Sequence, residues 1–438
     1  MDRREFLKIS GAGVVGAAAM ACSRESGSKE PEELQISGNV PQNFPGIGLL
    51  GFGAMRWPMT KDENGKDIID QQKVNEMVDL ALEHGVNYFD SAPVYLQGMS
   101  EKATAIALLR HPRESYYVAT KLSNFSDPSY ETAVNMYRKS LENYQTDHID
   151  YYLLHSVGDL RAMETRFIKP GTLDFLLKER EAGRIRHLGF SFHGGKQGMD
   201  DLLELHGKYH WDFVQIQMNY MDWTHSGDGS AKYLYEKLAE KGIPVVIMEP
   251  LRGGQLSDVP APLADMLKER EPQRSIASWA FRFCGSFPNV LTALSGMTYI
   301  DHLRDNLLTF TNFKPLSEDD LSLLEKVADG IQEYPLVRCT GCQYCMPCPY
   351  GINIPGIFSF YNENINEGTY VVSAEQKDYA RTRRKYLLEY NKAIPTVRQA
   401  DHCIGCGQCL KKCPQHIRIP NELQRIDRYI EKVKRETF

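Results

Sequence analysis

The chain has 438 residues, which is long enough for one large domain with a smaller one or for three modest domains. Hydrophobic residues make up 42% of the sequence and charged residues 25%, as is typical of a globular protein in water. The net charge of −6 argues against a nucleic-acid-binding protein.

The first 22 residues have the order of parts that is typical of an export signal. Arg3 and Arg4 form a basic start, and a short apolar run follows from Ile9 to Ala21. The run is shorter than the about 20 residues that cross a membrane. The segment resembles a twin-arginine signal, which implies a periplasmic or envelope-bound protein. The stretch from Ala19 to Cys22 resembles a lipoprotein processing site, so both a lipid anchor at Cys22 and release after cleavage remain open.

A linker and a repeated strand and helix pattern come next. Residues 23–45 are polar, whereas residues 46–332 alternate short apolar runs with amphipathic stretches. Eight runs have the composition of buried strands: GIGLLGFGAM, VNYFDSA, YYVATKL, IDYYLLHS, IRHLGFSFH, DFVQIQMNY, IPVVIMEPL and VLTALSGM. Eight such units predict an α/β fold, a closed (β/α)8 TIM barrel. An open doubly wound sheet is the alternative, but no G-x-G-x-x-G turn follows the first strand.

Four polar residues lie at the carboxyl ends of three successive predicted strands. Asp90 and Tyr95 follow the second strand, Lys121 ends the third and His155 ends the fourth. Catalytic groups of a barrel lie at these ends. Reduction of a carbonyl needs a proton donor at its oxygen, and Tyr95 suits this role if Lys121 lowers its pKa. Asp90 would then fix the lysine, and His155 would orient the carbonyl.

The stretches YFDSAPVY, VATKL and SLENYQTDHIDYYLLH resemble the aldo-keto reductase family, and the resemblance covers about residues 46–310. It implies that the four polar residues are the catalytic tetrad of that family. It also implies hydride transfer between NADP or NAD and a small carbonyl or alcohol substrate. The cofactor contacts that the resemblance implies are Ser191, Gln215, Leu251, Gly253, Arg304 and Asn306.

Three departures from the family pattern affect the cofactor. The asparagine that usually follows the serine of the fifth strand is absent, and Met248 lies where a tyrosine usually stacks on the nicotinamide. NADP-preferring members carry Lys and Arg after the eighth strand. This chain has Gly296, Met297 and His302 at those positions, which leaves Arg304 as the strong cation nearby. The choice between NAD and NADP therefore remains open.

Eight of the ten cysteines fall in two runs, CTGCQYCMPCP from Cys339 and CIGCGQCLKKCP from Cys403. The two-residue spacing predicts metal binding and argues against disulfides, while zinc sites use isolated C-x-x-C pairs. The runs resemble bacterial-type ferredoxin, which implies two 4Fe–4S clusters. The resemblance also implies crossed ligands, namely Cys339, Cys342, Cys345 and Cys413 for the first cluster and Cys403, Cys406, Cys409 and Cys348 for the second.

The 54 residues between the two runs are too many for a compact ferredoxin, and they include the helical stretch AEQKDYARTRRKYLLEYNK. Residues 333–438 are therefore predicted to form a mainly helical, two-cluster, ferredoxin-like domain. The basic residues of the stretch are interpreted as solvent-exposed, with a docking patch for a redox partner protein as the alternative. After the export signal, no run is long and apolar enough to span a membrane.

The combined patterns predict an exported oxidoreductase with a nicotinamide site and two clusters for electron transfer. The alternative is an iron–sulfur electron-transfer protein whose barrel docks a partner without turnover. The intact tetrad favours the enzyme, whereas export away from the cytoplasmic nicotinamide pool favours the alternative.

Overall fold

Eight parallel strands close a barrel in the larger part of the chain. The computed structural model describes residues 34–225 and 227–438, so the predicted export signal and Cys22 lie outside the described residues. The strands are β1 (Leu50–Gly53), β2 (Met59–Lys61), β3 (Asp67–Ile69), β4 (Tyr88–Asp90), β5 (Tyr117–Leu122), β6 (Ile149–Val157), β7 (Ile185–Phe192), β8 (Phe213–Gln217), β9 (Val245–Met248) and β10 (Val290–Ser295). Strand β1 pairs with both β4 and β10, which closes the sheet, and the predicted barrel is confirmed. Strands β2 and β3 form a separate antiparallel hairpin.

Amphipathic helices cover the outside of the barrel. Helix α1 shows why: its buried residues Val74, Met77, Val78 and Ala81 recur every three or four positions and join the main hydrophobic core. The helices up to residue 332 are α1 (Gln71–Glu83), α2 (Ser100–Leu108), α3 (Tyr130–Tyr144), α4 (Leu160–Met163), α5 (Thr172–Glu181), α6 (Lys196–Glu204), α7 (His206–Tyr209), α8 (Asp222–His225), α9 (Ala231–Glu240), α10 (Ala261–Arg270), α11 (Ile276–Gly285), α12 (Ile300–Thr311) and α13 (Glu318–Gln332).

Short helical turns lie between the longer helices and the strands along the described part of the chain. They are the 3-10 turns Ala54–Arg56, Tyr95–Gly98, Arg113–Ser115, Gly227–Gly229, Arg252–Ser257, Thr396–Arg398, Ala400–His402 and Leu410–Lys412, and the π-helical turn Glu164–Ile168. Two of them, Tyr95–Gly98 and Arg252–Ser257, follow barrel strands at their carboxyl ends and carry residues of the site described below.

A second hydrophobic core lies after α13 and is built on the three helices α14 (Ile354–Asn366), α15 (Tyr379–Ala393) and α16 (Ile419–Arg435). Most of the predicted helical stretch between the cysteine runs lies in α15, which begins five residues after the stretch does. Arg383 of α15 donates to the carbonyls of Val433 and Lys434, both at 2.7 Å, and thus satisfies acceptors at the end of α16. Arg381, Arg384 and Lys385 are exposed as expected, but Arg383 has a structural role.

The described residues contain no helix that is long and apolar enough to cross a membrane.

Candidate active site and cysteine cavities

Three predicted catalytic residues, Asp90, Lys121 and His155, lie near the carboxyl ends of their strands, at the end of the barrel that we call the barrel mouth. Alternation along each strand turns their side chains into the barrel. On four strands a buried apolar residue lies two positions before a polar one, so both side chains point into the barrel. These pairs are Tyr88 and Asp90, Ala119 and Lys121, Leu153 and His155, and Phe213 and Gln215. The apolar members form a packed layer inside the barrel, and the polar members lie above it at the mouth.

The four predicted catalytic residues meet at the mouth. Lys121 Nζ donates to Asp90 Oδ1 at 2.5 Å and to the Ser91 carbonyl at 2.8 Å, and both charged side chains are buried. The same nitrogen lies 4.8 Å from the ring centroid of Tyr95. The rings of Tyr95 and His155 meet edge to face, with their centroids 5.8 Å apart. A proton donor, a cation, an anion and an imidazole are thus held in one place.

Burial controls the protonation of these groups. Burial raises the pKa of Asp90 and lowers the pKa of Lys121, and the attraction between the two charges opposes both shifts. Burial lowers the pKa of His155 well below its ordinary value, and the positive charge of Lys121 lowers it further. His155 is therefore neutral at pH 7, and its Nδ1 lies 2.5 Å from Ser123 Oγ.

The pKa of Tyr95 is shifted as well. Burial raises this pKa well above 10, and the negative charges of Asp90 and Glu249 raise it further. Burial is the largest influence on this pKa, and the effect of the Lys121 ammonium on the phenolate, which the sequence predicts, stays a prediction. Tyr95 consequently keeps its proton at neutral pH and is a hydrogen-bond donor.

A cavity of about 590 Å³, called the catalytic cavity below, extends from these four residues across the ends of β8, β9 and β10. Its lining includes five of the six predicted cofactor contacts, which are Ser191, Gln215, Leu251, Gly253 and Asn306. Gln215 Oε1 is buried and has no hydrogen-bond partner among the described residues. A cavity of this size with a buried, unpaired acceptor fits a ligand that carries an amide donor, as nicotinamide does.

Arg304 is the predicted cofactor contact that the structure does not bring to the catalytic cavity. Its Nη1 pairs with Asp301 Oδ1 at 3.2 Å, and both side chains are largely exposed. Two carboxylates, Asp301 and Asp305, line this part of the cavity instead. Asp305 Oδ2 also accepts a hydrogen bond from Ser275 Oγ at 2.7 Å, so its carboxylate is held in place.

The cysteines surround two further small cavities. Cys339, Cys342, Cys345 and Cys413 line one cavity, and Cys348, Cys403, Cys406 and Cys409 line the other, which Cys345 also borders. All eight are free thiols. The structure therefore places the last cysteine of each run beside the first three of the other run. Four thiols around each cavity are the donor set that a 4Fe–4S cluster takes.

The first cysteine run (Cys339–Cys348) lies over the barrel mouth. Arg56 Nη2, in the turn after β1, donates to the Thr340 carbonyl at 2.5 Å. Gln255 Nε2, in the turn after β9, donates to the carbonyls of Val337 at 2.9 Å and Cys339 at 2.8 Å. Since β10 lies between β9 and β1 in the barrel, the segment spans the end of β10 as well.

The second cysteine run (Cys403–Cys413) reaches the same mouth through the residues that follow it. The side-chain amides of Gln217 in β8 and Gln415 exchange hydrogen bonds of 2.9 and 3.2 Å. Cys342, Tyr344, Pro414 and Gln415 complete the lining of the catalytic cavity. No pattern in the sequence indicates these contacts, which join residues about two hundred positions apart in the case of Gln217 and Gln415.

Residues 49–329 match the model of the aldo/keto reductase family, and residues 338–418 match that of the 4Fe-4S dicluster domain. The first match covers more than half of the chain. The chain therefore belongs to the aldo/keto reductase family and carries a C-terminal 4Fe–4S dicluster domain. It is an oxidoreductase of that family, and the resemblance inferred from the sequence is confirmed for these two parts.

Similar proteins are known for the barrel part. L-galactose dehydrogenase of Arabidopsis thaliana is 24% identical over 317 residues, which are 67% of this chain and 92% of the relative. The NADH-specific methylglyoxal reductase of Escherichia coli is 24% identical over 340 residues, which are 67% and 99% of the two chains. An aldo-keto reductase of Klebsiella pneumoniae, solved in complex with NADPH, superimposes with a TM-score of 0.52 at 21% identity and covers 64% of this chain and 91% of that one. This likeness shows the shared fold.

Proposed function

We propose that the barrel transfers hydride between a nicotinamide cofactor and a carbonyl or alcohol substrate. The observation that carries this proposal is the buried pair of Lys121 and Asp90 packed against Tyr95 and beside His155 in one cavity. When it is bound, the nicotinamide supplies or accepts the hydride. The protein side chains supply the proton and hold the substrate oxygen.

Each tetrad residue has a distinct role in the reduction direction. Negative charge develops on the carbonyl oxygen, and Tyr95 donates its proton there. The Lys121 ammonium beside the ring stabilises the phenolate that forms, and Asp90 holds the ammonium in position. His155 is neutral, and because its Nδ1 faces Ser123, its Nε2 is the nitrogen that holds the substrate oxygen.

The lining of the catalytic cavity supports NAD as the preferred cofactor. Ser191 and Gln215 would hold the carboxamide, while Leu251, Gly253 and Asn306 would line the rest of the cofactor. Asp305 faces the far part of the cavity, where its charge would repel a 2′-phosphate, whereas the charge of Asp301 is offset by Arg304. The E. coli relative is named for NADH specificity, which agrees with this choice.

We assign the first cluster to Cys339, Cys342, Cys345 and Cys413 and the second to Cys348, Cys403, Cys406 and Cys409, because each set lines its own cavity. The clusters would exchange single electrons with a redox partner protein, and Cys406 is the exposed member of the second set. We also propose export by the twin-arginine route, followed by release or anchoring at Cys22. This part of the proposal rests on the sequence of residues 1–22.

The test of the catalytic proposal is Tyr95→Phe in protein purified without oxygen and loaded with iron. The substrates are those for which the relatives are named, methylglyoxal for reduction and L-galactose for oxidation. We expect kcat/KM to fall by a factor on the order of 10²–10⁴, since a positioned proton donor is lost. Binding of NADH, followed by its fluorescence, should persist.

The matched control is Tyr130→Phe, because Tyr130 is an exposed tyrosine on α3. It should leave both kcat/KM and NADH binding unchanged. Equal rates for Tyr95→Phe and the unaltered enzyme would remove Tyr95 from the mechanism and with it the proposed role of the tetrad.

A further inference from the structure

Tyr344 reaches the catalytic cavity from the first cysteine run. It lies between Cys342 and Cys345, and together with Cys342 it lines the same cavity as Asp90 and Tyr95. The barrel thus builds only part of the site, and the dicluster domain contributes an aromatic side chain to the rest. The ring of a tyrosine can pack against a ligand of matching shape, and its hydroxyl group can form a hydrogen bond with that ligand.

Direct contacts with the barrel fix the loop that carries Tyr344. Arg56 holds the Thr340 carbonyl, and Gln255 holds the carbonyls of Val337 and Cys339. Gly253 lies so close to the loop that an added Cβ would come within 2.3 Å of the Thr340 backbone. The loop that carries Tyr344 is therefore held in place by the turns that follow β1 and β9.

We propose that Tyr344 contacts the substrate and limits the size of the carbonyl compound that the catalytic cavity accepts. The proposal rests on the proposed hydride transfer and deepens it by naming a specificity-determining residue outside the barrel. Because Cys342 and Cys345 flank Tyr344 and line the first cysteine cavity, the shape of the substrate site depends on the loop that holds the first cluster.

The structure offers a matched control for the test. Tyr350 lies two residues after Cys348, just as Tyr344 lies two residues after Cys342. Tyr350 borders the other cysteine cavity, and 45% of its surface is exposed. Tyr344→Ala and Tyr350→Ala therefore remove the same side chain at the same distance in sequence from a cysteine, but only Tyr344 lines the catalytic cavity.

The experiment compares kcat/KM for hexanal and propanal in anaerobic, iron-loaded enzyme with NADH. Tyr344→Ala should raise the ratio of hexanal to propanal at least about tenfold, mainly through KM, since small changes of pocket volume have effects of this size. Tyr344→Phe should restore the original ratio, and Tyr350→Ala should not change it. Iron content must be the same in all variants. An unchanged ratio in Tyr344→Ala would overturn the proposal.

A binding measurement separates this proposal from the proposed reaction. Hexanoate and acetate are unreactive analogues of long and short substrates, and their dissociation constants can be measured by calorimetry in the presence of NADH. Tyr344→Ala should favour hexanoate over acetate relative to the unaltered protein, and Tyr350→Ala should not. If the binding preference shifts but the enzyme reduces no aldehyde, the proposed reaction is rejected and the role of Tyr344 is kept. If the enzyme reduces aldehydes but the binding preference does not shift, the role of Tyr344 is rejected.

Discussion

Gly253 is a residue at which the barrel backbone lies against the first cysteine run. It has a φ of +70°, and a Cβ there would lie 2.3 Å from Thr340 Cα and from the Thr340 carbonyl oxygen. Its neighbour Gly254 has a φ of +101°, but the nearest atom to its added Cβ is 4.0 Å away. Alanine is strained by positive φ at both positions, and more so at Gly254, whereas the overlap with Thr340 arises only at Gly253.

We predict that Gly253→Ala destabilises the protein by about 1–3 kcal/mol more than Gly254→Ala, which is the usual cost of forced overlap in a packed region. The clash is with backbone atoms, so no flexible side chain can move aside to relieve it. Thermal unfolding of the two iron-loaded variants measures the difference. Equal losses of stability would mean that the run does not pack on the barrel as described.

His193 makes the stability depend on pH. It lines the catalytic cavity, and burial, together with the positive charges of His416 and Lys121, lowers its pKa to about 4. The unfolded chain binds this proton near pH 6.5, whereas the folded chain binds it only near pH 4. Stability that is present above about pH 6.5 is therefore lost as the pH falls toward 4, at on the order of 1 kcal/mol per pH unit.

We predict that His193→Gln reduces this loss. Urea unfolding of the variant and of the unaltered protein at about pH 7 and about pH 5 gives the two slopes, and the difference between them isolates His193 from other titrating groups. The slope should be smaller in His193→Gln. Identical slopes would show that His193 titrates in the folded chain as it does in the unfolded one.

Some site residues could be predicted from the sequence, and others could not. Asp90, Lys121 and His155 each lie two positions after an inward-facing apolar residue and near the carboxyl end of a strand. Alternation therefore turns them into the barrel, and their position places them at the mouth. Tyr344 and Arg56 gave no such signal, since their place at the cavity depends on packing between segments distant in the sequence. The raised pKa of Tyr95 could not be predicted for the same reason, because desolvation of its hydroxyl depends on the whole surrounding structure.

At the scale of elements, the last cysteine of each run lies beside the first three cysteines of the other run. Cys348 lines a cavity with Cys403, Cys406 and Cys409, and Cys413 lies with the first run. We predict that Cys348→Ala lowers the iron content from about eight to about four per chain and removes the electron paramagnetic resonance signal of the second cluster. Cys342→Ala should remove the signal of the first cluster instead.

The barrel itself should survive in both cysteine variants, because its core is separate from the one that α14, α15 and α16 share. Circular dichroism during heating measures this. The crossed arrangement would be rejected if Cys348→Ala retained about eight irons, the number in two intact 4Fe–4S clusters.

The barrel strands could be predicted because each is a short, continuous apolar run between helical stretches. The hairpin of β2 and β3 was missed. Its strands are exposed or half-buried, so they lack the apolar signal, and only the Asn64-Gly65 turn marks them. Helix α15 was found from its charge pattern, but the role of Arg383 at the end of α16 depends on a contact between helices far apart in sequence.

At the scale of the whole molecule, the first 22 residues determine the predicted location. We predict that changing both Arg3 and Arg4 to Lys leaves the protein in the cytoplasm, because the arginine pair is read by a receptor. Fractionation of cells followed by detection of the protein measures this. Lys8→Arg keeps the charge of the same segment and should be exported normally. Normal export of the double variant would mean that the arginine pair is not a signal.

The position of the first cysteine run over the barrel mouth has a consequence for how the protein matures. The segment that receives iron is the one that completes the catalytic cavity, so iron insertion and completion of the reductase site become one step. Metal binding of this kind is coupled to folding. We therefore expect newly made chains to gain their reductase activity only after iron delivery, and to become ready for export at the same time. A cell that lacks iron should then accumulate inactive precursor in its cytoplasm.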